Sequence, residues 1–330
     1  MNISKLSTRY LRGTIIALVA GIGGVGVLRS QPLQPAVPLA AQVAPERLFN
    51  SPEAAIKALG AATQAGDVTA LRDLFGREIF EMMTGDEVQD ANNAKRFAMA
   101  MAQRCTPVSE GADKITLEVG TNQWPMPIPL VRADGQWHFD TAAGKEEVIN
   151  RHIGKDELNT IGVCRAFVVA QRQFAGMNPE GAFAEKFKSS AGKQDGLYWP
   201  AGENQTASPF GPLVTKAYAQ GYAWRKDAAP QPFHGYYFRI LSRQGSAAPG
   251  GAMSYIQHGR MTGGFALVAY PQTWDKSGVM TFLVGQDGKV YQQNLGETTG
   301  RTAGAMKEYN PDGDWALVED EGMRDAALEK

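Results

Sequence analysis

The sequence predicts an α+β protein, with helices packed on antiparallel sheets and two domains in the chain. Apolar residues recur at helical spacing in two separated regions, "NSPEAAIKALGAATQAGDVTALRDLF" (50–75) and "KDELNTIGVCRAFVVAQRQFA" (155–175). Each is followed by short segments in which apolar residues alternate with polar ones, or run continuously, between turn-forming residues, as strands do. That order, helices and then an antiparallel sheet, is an α+β pattern. The length of 330 residues and the 43% hydrophobic content suffice for two cores at roughly 100–200 residues per domain.

Residues 1–30 read as a signal peptide or membrane anchor. Lys5, Arg9 and Arg12 precede an uncharged, mostly apolar run over Thr14–Leu28. That run is shorter than the roughly 20 residues of a membrane span and suits an export core. A Pro/Ala-rich linker occupies 31–47, with small residues at Leu39–Ala41 suited to cleavage before Gln42. The expected location is therefore the periplasm or the outer face of the inner membrane, with membrane contact only through this segment if it is uncleaved. "GIGGVG" (Gly21, Gly23, Gly26) has dinucleotide-loop spacing, but it sits inside the export core and is followed by the Pro-rich linker, where the motif needs a strand before it and a helix after it.

The first domain is expected over 48–150. Ser51 can cap a helix with Pro52 at its first position, and Asp67 can cap a second bearing Leu71, Leu74 and Phe75. "DANNAKRFAMAMAQRC" gives a third helical stretch. "KITLEVG" then alternates Ile115, Leu117 and Val119 against Lys114, Thr116 and Glu118, as a half-buried strand does. "WPMPIPLVRADGQWHFD" carries a hairpin turn signal at Asp134–Gly135, and its prolines exclude a central strand there. The layout "AIKALGAATQAGDVTALRDLF … IPLVRADGQWHFD" resembles the NTF2-like cones. That resemblance implies a pocket between helices and sheet, used in some members by an Asp/His pair. His138 and Asp140 lie two apart, on one face of a strand, with Glu118 available from another.

The second domain is expected over 151–318, with a polar tail at 319–330. Leu158, Ile161, Val168 and Phe174 mark a long amphipathic helix, widened by Val163, Phe167 and Ala170. "GPLVTKAYAQGY" is a short helix. "HGYYFRILSRQ" begins a β region that continues through a glycine-rich excursion (245–261) into "GGFALVAYPQTWDKSGVMTFLVGQDGKVYQQNLG". Phe265–Tyr270 is apolar on both faces, which describes a strand covered on both sides and packed on the 155–175 helix. Asp287–Gly288 is a tight turn. The order of long helix and then meandering sheet is similar to the globular part of type IV pilins and pseudopilins, through "GYYFRI" and "GGFALVAYP … SGVMTFLVGQDGKVYQQNLG". From Ser51 to Trp315 the chain resembles a bacterial family of exported proteins catalogued as a domain of unknown function. The phrases that carry this are "SPEAAIKAL", "FDTAAGKEEVINRHIGKDEL", "CRAFVVAQRQFA", "DGLYWP", "HGYYFRIL" and "APGGAMSYIQHGRMTGGFALVAYP".

Charge and motifs narrow the chemistry. The net charge of −1, with no Lys/Arg cluster, argues against nucleic acid. No zinc spacing, HExxH, P-loop or GxSxG is present, and no cofactor is expected. "NPDGDW" (310–315) has acidic residues at alternate positions but Trp315 where a calcium loop needs Gly, so it reads as a turn before a final strand or tail, and no metal is expected. Cys105 and Cys164 could form a disulfide in an oxidising compartment, or stay as two buried thiols. The candidate binding residues are Trp124, Trp137, His138 and Asp140 in the first domain and Tyr198 and Trp199 in the second; no catalytic residue is assigned. The leading expectation is a non-catalytic envelope module that binds a protein partner or a small-molecule ligand. The alternatives are a periplasmic hydrolase-like enzyme using the first domain's pocket, and a component of a pilus or secretion system.

Overall fold

The computed structural model describes residues 47–202, 206–223 and 230–319. The expected export segment, all but the last residue of the linker, and the polar tail beyond Glu319 lie outside the described residues. Those described belong to one compact unit that begins at Val43, and they form an α+β fold of helices on antiparallel sheets.

Local chemistry starts each early helix where the sequence places it. The Ser51 hydroxyl accepts from the Ala54 N–H at 3.3 Å and Pro52 opens α1 (Pro52–Ala65). Asp67 accepts from the Thr69 and Ala70 N–H groups and opens α2 (Val68–Phe75). Asp86 opens α3 (Glu87–Gln103) in the same manner. Each cap satisfies backbone donors that the helix itself leaves unpaired.

The first sheet is antiparallel, in the order β1 (Cys105–Ser109), β2 (Lys114–Val119), β4 (Leu130–Ala133), β5 (Gln136–Phe139), with the short β3 (Trp124–Pro125) also on β2. Asp134 and Gly135 both take positive φ (51° and 78°), which gives the β4–β5 turn the twist a two-residue hairpin requires. Ile115, Leu117, Val119, Leu130, Trp137 and Phe139 point inward and meet Leu59 of α1, Leu74 and Phe75 of α2, and Met101 of α3.

α4 (Thr141–Met177) is a single helix of 37 residues, about 55 Å long. Its Val148 packs on the first core, while Ile161, Cys164, Phe167, Val168 and Phe174 belong to a second. The domain change expected at 150/151 falls inside this helix, which runs unbroken through it. At its start, a Cβ on Gly144 would lie 2.6 Å from Ile128 Cα and from the Pro127 carbonyl oxygen, so the helix touches the preceding chain backbone to backbone.

The second sheet is built from β6 (Tyr236–Leu241), β11 (Ala266–Pro271), β12 (Met280–Gly285), β13 (Val290–Asn294) and β14 (Ala316–Leu317), all antiparallel, in the spatial order β14-β13-β12-β11-β6. β11 is buried at every position but Tyr270, as expected of a strand covered on both faces. α4 packs on β11 and β12, and α6 (Thr299–Ala305) packs on β11. The Glu157 carboxylate of α4 accepts from the Val279 and Met280 N–H groups, both at 2.9 Å, and fixes the helix to the start of β12. Between β6 and β11 the glycine-rich excursion forms two small ladders, β7 (Arg243–Gln244) with β8 (Met253–Ser254), and β9 (Ile256–Gln257) with β10 (Arg260–Met261).

The disulfide considered from the sequence is not made, because each cysteine serves a different core. Cys164 is a buried free thiol inside the second core, and Cys105 is a half-buried free thiol packed against the first. Burial pushes the Cys164 thiol up to about 12, so it behaves as a small apolar side chain.

Candidate functional site

α5 (Gly211–Ala219) lies on the second core and leaves a cavity of about 350 Å³ beside it. That is near the lower end of the roughly 300–1,000 Å³ of small-molecule pockets. Leu213, Val214, Ala217 and Tyr218 of α5 form one wall. Val163 of α4, Phe187 and Phe210 form the second, and Pro230–Phe233 with Phe238 of β6 close the third. Among the described residues, the polar lining side chains are Tyr218, Tyr222 and Gln231, and no carboxylate, imidazole, thiol or aliphatic hydroxyl faces the space.

Tyr222 joins this cavity to a buried polar seam between α3, α4 and the start of β6. Its ring lines the cavity, and its hydroxyl donates to Asp86 Oδ2 at 2.8 Å. Asp86 Oδ2 also accepts from the Gly235 N–H at 3.2 Å, while Oδ1 accepts from the Val88 and Gln89 N–H groups at 3.1 Å. One carboxylate thus caps a helix and holds the turn into β6. That turn places His234 and Gly235 at positive φ, with Phe233 and Tyr236 paired across it. On the other side of the seam, Gln89 Nε2 lies 2.6 Å from Asp156 Oδ1. Asp156 is fully buried and its Oδ2 has no partner among the described residues.

Burial dominates the protonation of the seam. It pushes the Asp156 carboxyl up to about 7; the Gln89 amide and Lys155 oppose the rise, and Asp86 and Asp90 add to it. It holds the His234 imidazole down to about 4 against the pull of Asp86. Burial and then the hydrogen bond to Asp86 raise Tyr222, so it remains a neutral phenol. Near neutral pH the seam contains a neutral imidazole, a phenol and a carboxyl close to half-protonated. Asp86 and Asp156 are sealed from solvent, so the seam ties elements together and offers no exposed acid or base to the cavity. Among the described residues, no group of three or more His, Cys, Asp or Glu side chains could hold a metal ion.

The residues picked from the sequence lie elsewhere. Trp137 is buried on the inner face of β5, with Arg132 stacked over it. His138, half-buried, is on the opposite face, opposite Val131, which is in turn opposite Lys114. Glu118 is four residues further along β2, about 13 Å from that rung. The side chain of Asp140 caps α4, accepting from the Ala143 N–H at 3.1 Å. Trp124 is on the edge strand β3 with Arg151 stacked over it and Phe97 edge-on. Trp199 is buried and donates to the Thr206 carbonyl. Tyr198 lies beside the cavity, with its ring edge-on to that of Tyr218 and a side-chain hydrogen bond between the two. If Asp140 acts as a cap, Asp140→Ala should cost about 1 kcal/mol in urea unfolding while Asp140→Asn costs a few tenths or less. Equal losses in the two variants would count against that role.

Sequence reasoning missed the cavity residues Phe210, Val214, Tyr222, Phe233 and Phe238. Their signal is the clustering of aromatic residues and prolines in "FGPLVTKAYAQGY" and "PQPFHGYYF".

The family described as a protein of unknown function (DUF2950) matches residues 46–318. The chain belongs to that family. The DUF2950 match spans both cores, α4 between them, the cavity and the seam. No curated protein and no solved structure matches the chain. The likeness of its two parts to NTF2-like cones and to pilin globular domains rests on the sequence phrases alone.

Proposed function

We propose that this DUF2950 protein is an exported envelope protein that binds, without transforming, a ligand bearing an apolar group. The observation that carries the reading is the lining of the cavity. Among the described residues it is aromatic and aliphatic, and its polar side chains are two phenols and one amide, which can orient a ligand, with no carboxylate, imidazole, thiol or aliphatic hydroxyl beside them. The export part of the proposal rests on Lys5, Arg9, Arg12 and the apolar run after them.

Titration with N-phenyl-1-naphthylamine, a neutral aromatic probe that brightens in apolar surroundings, tests the cavity. Saturable enhancement is expected for the native chain, and its loss for Ala217→Trp, whose indole would fill the space. Unfolding in urea reports whether the variant is folded. Enhancement that persists in a folded Ala217→Trp protein would remove the cavity as the site.

A further inference from the structure

β6 is the outermost strand of the second sheet, with β11 as its neighbour on one side. Its backbone alternation can be read from the bonds at its two ends. Tyr236 exchanges hydrogen bonds with Phe233, away from β11, and the Ser242 carbonyl accepts from the Tyr255 N–H, also away from β11. The Gly235 carbonyl accepts from the Gln272 N–H, toward β11. Residues 237, 239 and 241 therefore bond to β11, and Phe238 and Ile240 direct their N–H and C=O groups to the open side. Among the described residues those four backbone groups have no hydrogen-bond partner. The edge is closed at both ends and open over these two residues. The neighbouring rim segment carries Pro230 and Pro232, which have no N–H to give to a strand.

The open edge and the cavity meet at Phe238, whose side chain lines the space while its backbone faces outward. A strand laid against β6 places the side chain opposite Phe238 on the same face of the sheet, because directly paired residues share a face. We infer that the site takes an extended polypeptide, which adds antiparallel to the β6 edge through backbone hydrogen bonds at Phe238 and Ile240 and seats an apolar side chain in the cavity. This rests on the cavity being a binding site and names its occupant. A small apolar molecule would fill the cavity but leave the edge groups unpaired. An extended segment with apolar residues at alternate positions satisfies both.

Three capped five-residue peptides of alternating threonine and leucine test this by fluorescence anisotropy: one unmodified, one N-methylated at the leucines, and one N-methylated at the threonines. The leucines facing the cavity also direct their N–H groups at β6, and the threonines direct theirs to solvent. The unmodified and threonine-methylated peptides are expected to bind alike, with the leucine-methylated one weaker by about tenfold or more. Ala217→Trp is expected to weaken all three. Equal affinity of the two methylated forms would overturn the strand pairing. If no peptide binds while the naphthylamine probe does, and the probe is lost in Ala217→Trp, the cavity stands as a site and the polypeptide inference falls. If neither peptide nor probe binds, both fall.

Discussion

Asp156→Asn is expected to stabilise the protein above pH 7 and to leave it nearly unchanged near pH 4. The buried Asp156 carboxyl is raised from 3.8 to about 7. Between those values the folded chain keeps a proton that the unfolded chain has lost. Its contribution to stability is therefore complete below about pH 4 and is lost as pH rises to about 7. A shift of about three pH units corresponds to roughly 4 kcal/mol at most. Asn has the same shape, carries no charge, and presents an amide to Gln89 where the acid stood, so the variant escapes the loss. His234 has the opposite window, since its neutral form is favoured by burial and the stability tied to it is lost as pH falls from 6.5 toward about 4. The two windows overlap and oppose each other, so the native chain should change little between pH 4 and about 6.5, whereas the variant, which keeps only the His234 term, should gain stability over that range. Urea unfolding of both proteins between pH 4 and pH 8 reads this directly. Parallel curves would mean that Asp156 titrates as it does in the unfolded chain.

Gly278→Ala is expected to be the most damaging single-methyl change in the second sheet. An alanine Cβ there would enter the ring of Tyr236, a fully buried side chain whose hydroxyl donates to the Met280 carbonyl at 2.9 Å and whose ring rests against Phe282. Gly278 does not have positive φ, so the cost is one of space alone. Tyr236 must leave its position, which forfeits packing and its hydrogen bond together, and a loss of roughly 3 kcal/mol or more follows. Tyr236→Leu removes the obstructing ring edge at its own cost. In the double variant the methyl should then add much less than it does alone, a coupling that a double-mutant cycle measures. Strict additivity of the two changes would show that the ring is not what excludes the methyl.

The elements legible in the sequence are those whose local chemistry matches their packing. Ser51, Pro52 and Asp67 announce α1 and α2 because capping is a matter of a few neighbouring atoms. Alternation in "KITLEV" matches an inner face of Ile115, Leu117 and Val119, and the continuous apolar run of β11 matches its burial on both faces. The start of α4 was not legible. "TAAGKEEVINRHIG" has no single apolar stripe, and only the fold shows that the Pro127–Ile128 backbone leaves no room for a side chain at Gly144. Asp140 is a candidate binding residue because its two-residue spacing from His138 is that of one strand face; the strand ends at Phe139, and the next residue caps the helix. The cavity and the seam were out of reach for a different reason. Tyr222, His234, Asp86 and Asp156 are far apart along the chain, and none belongs to a motif with fixed spacing.

α4 has a further consequence for how the protein is made. Its first turns are needed by the core formed from earlier residues, but the face bearing Phe167 and Val168 is covered by β11 and β12, which are synthesised roughly 100 residues later, at about 5–20 residues per second. For several seconds, then, a growing chain carries half of a finished helix with its apolar side bare. The contacts that lock this second core into its final shape therefore form only long after the helix they cover has been made.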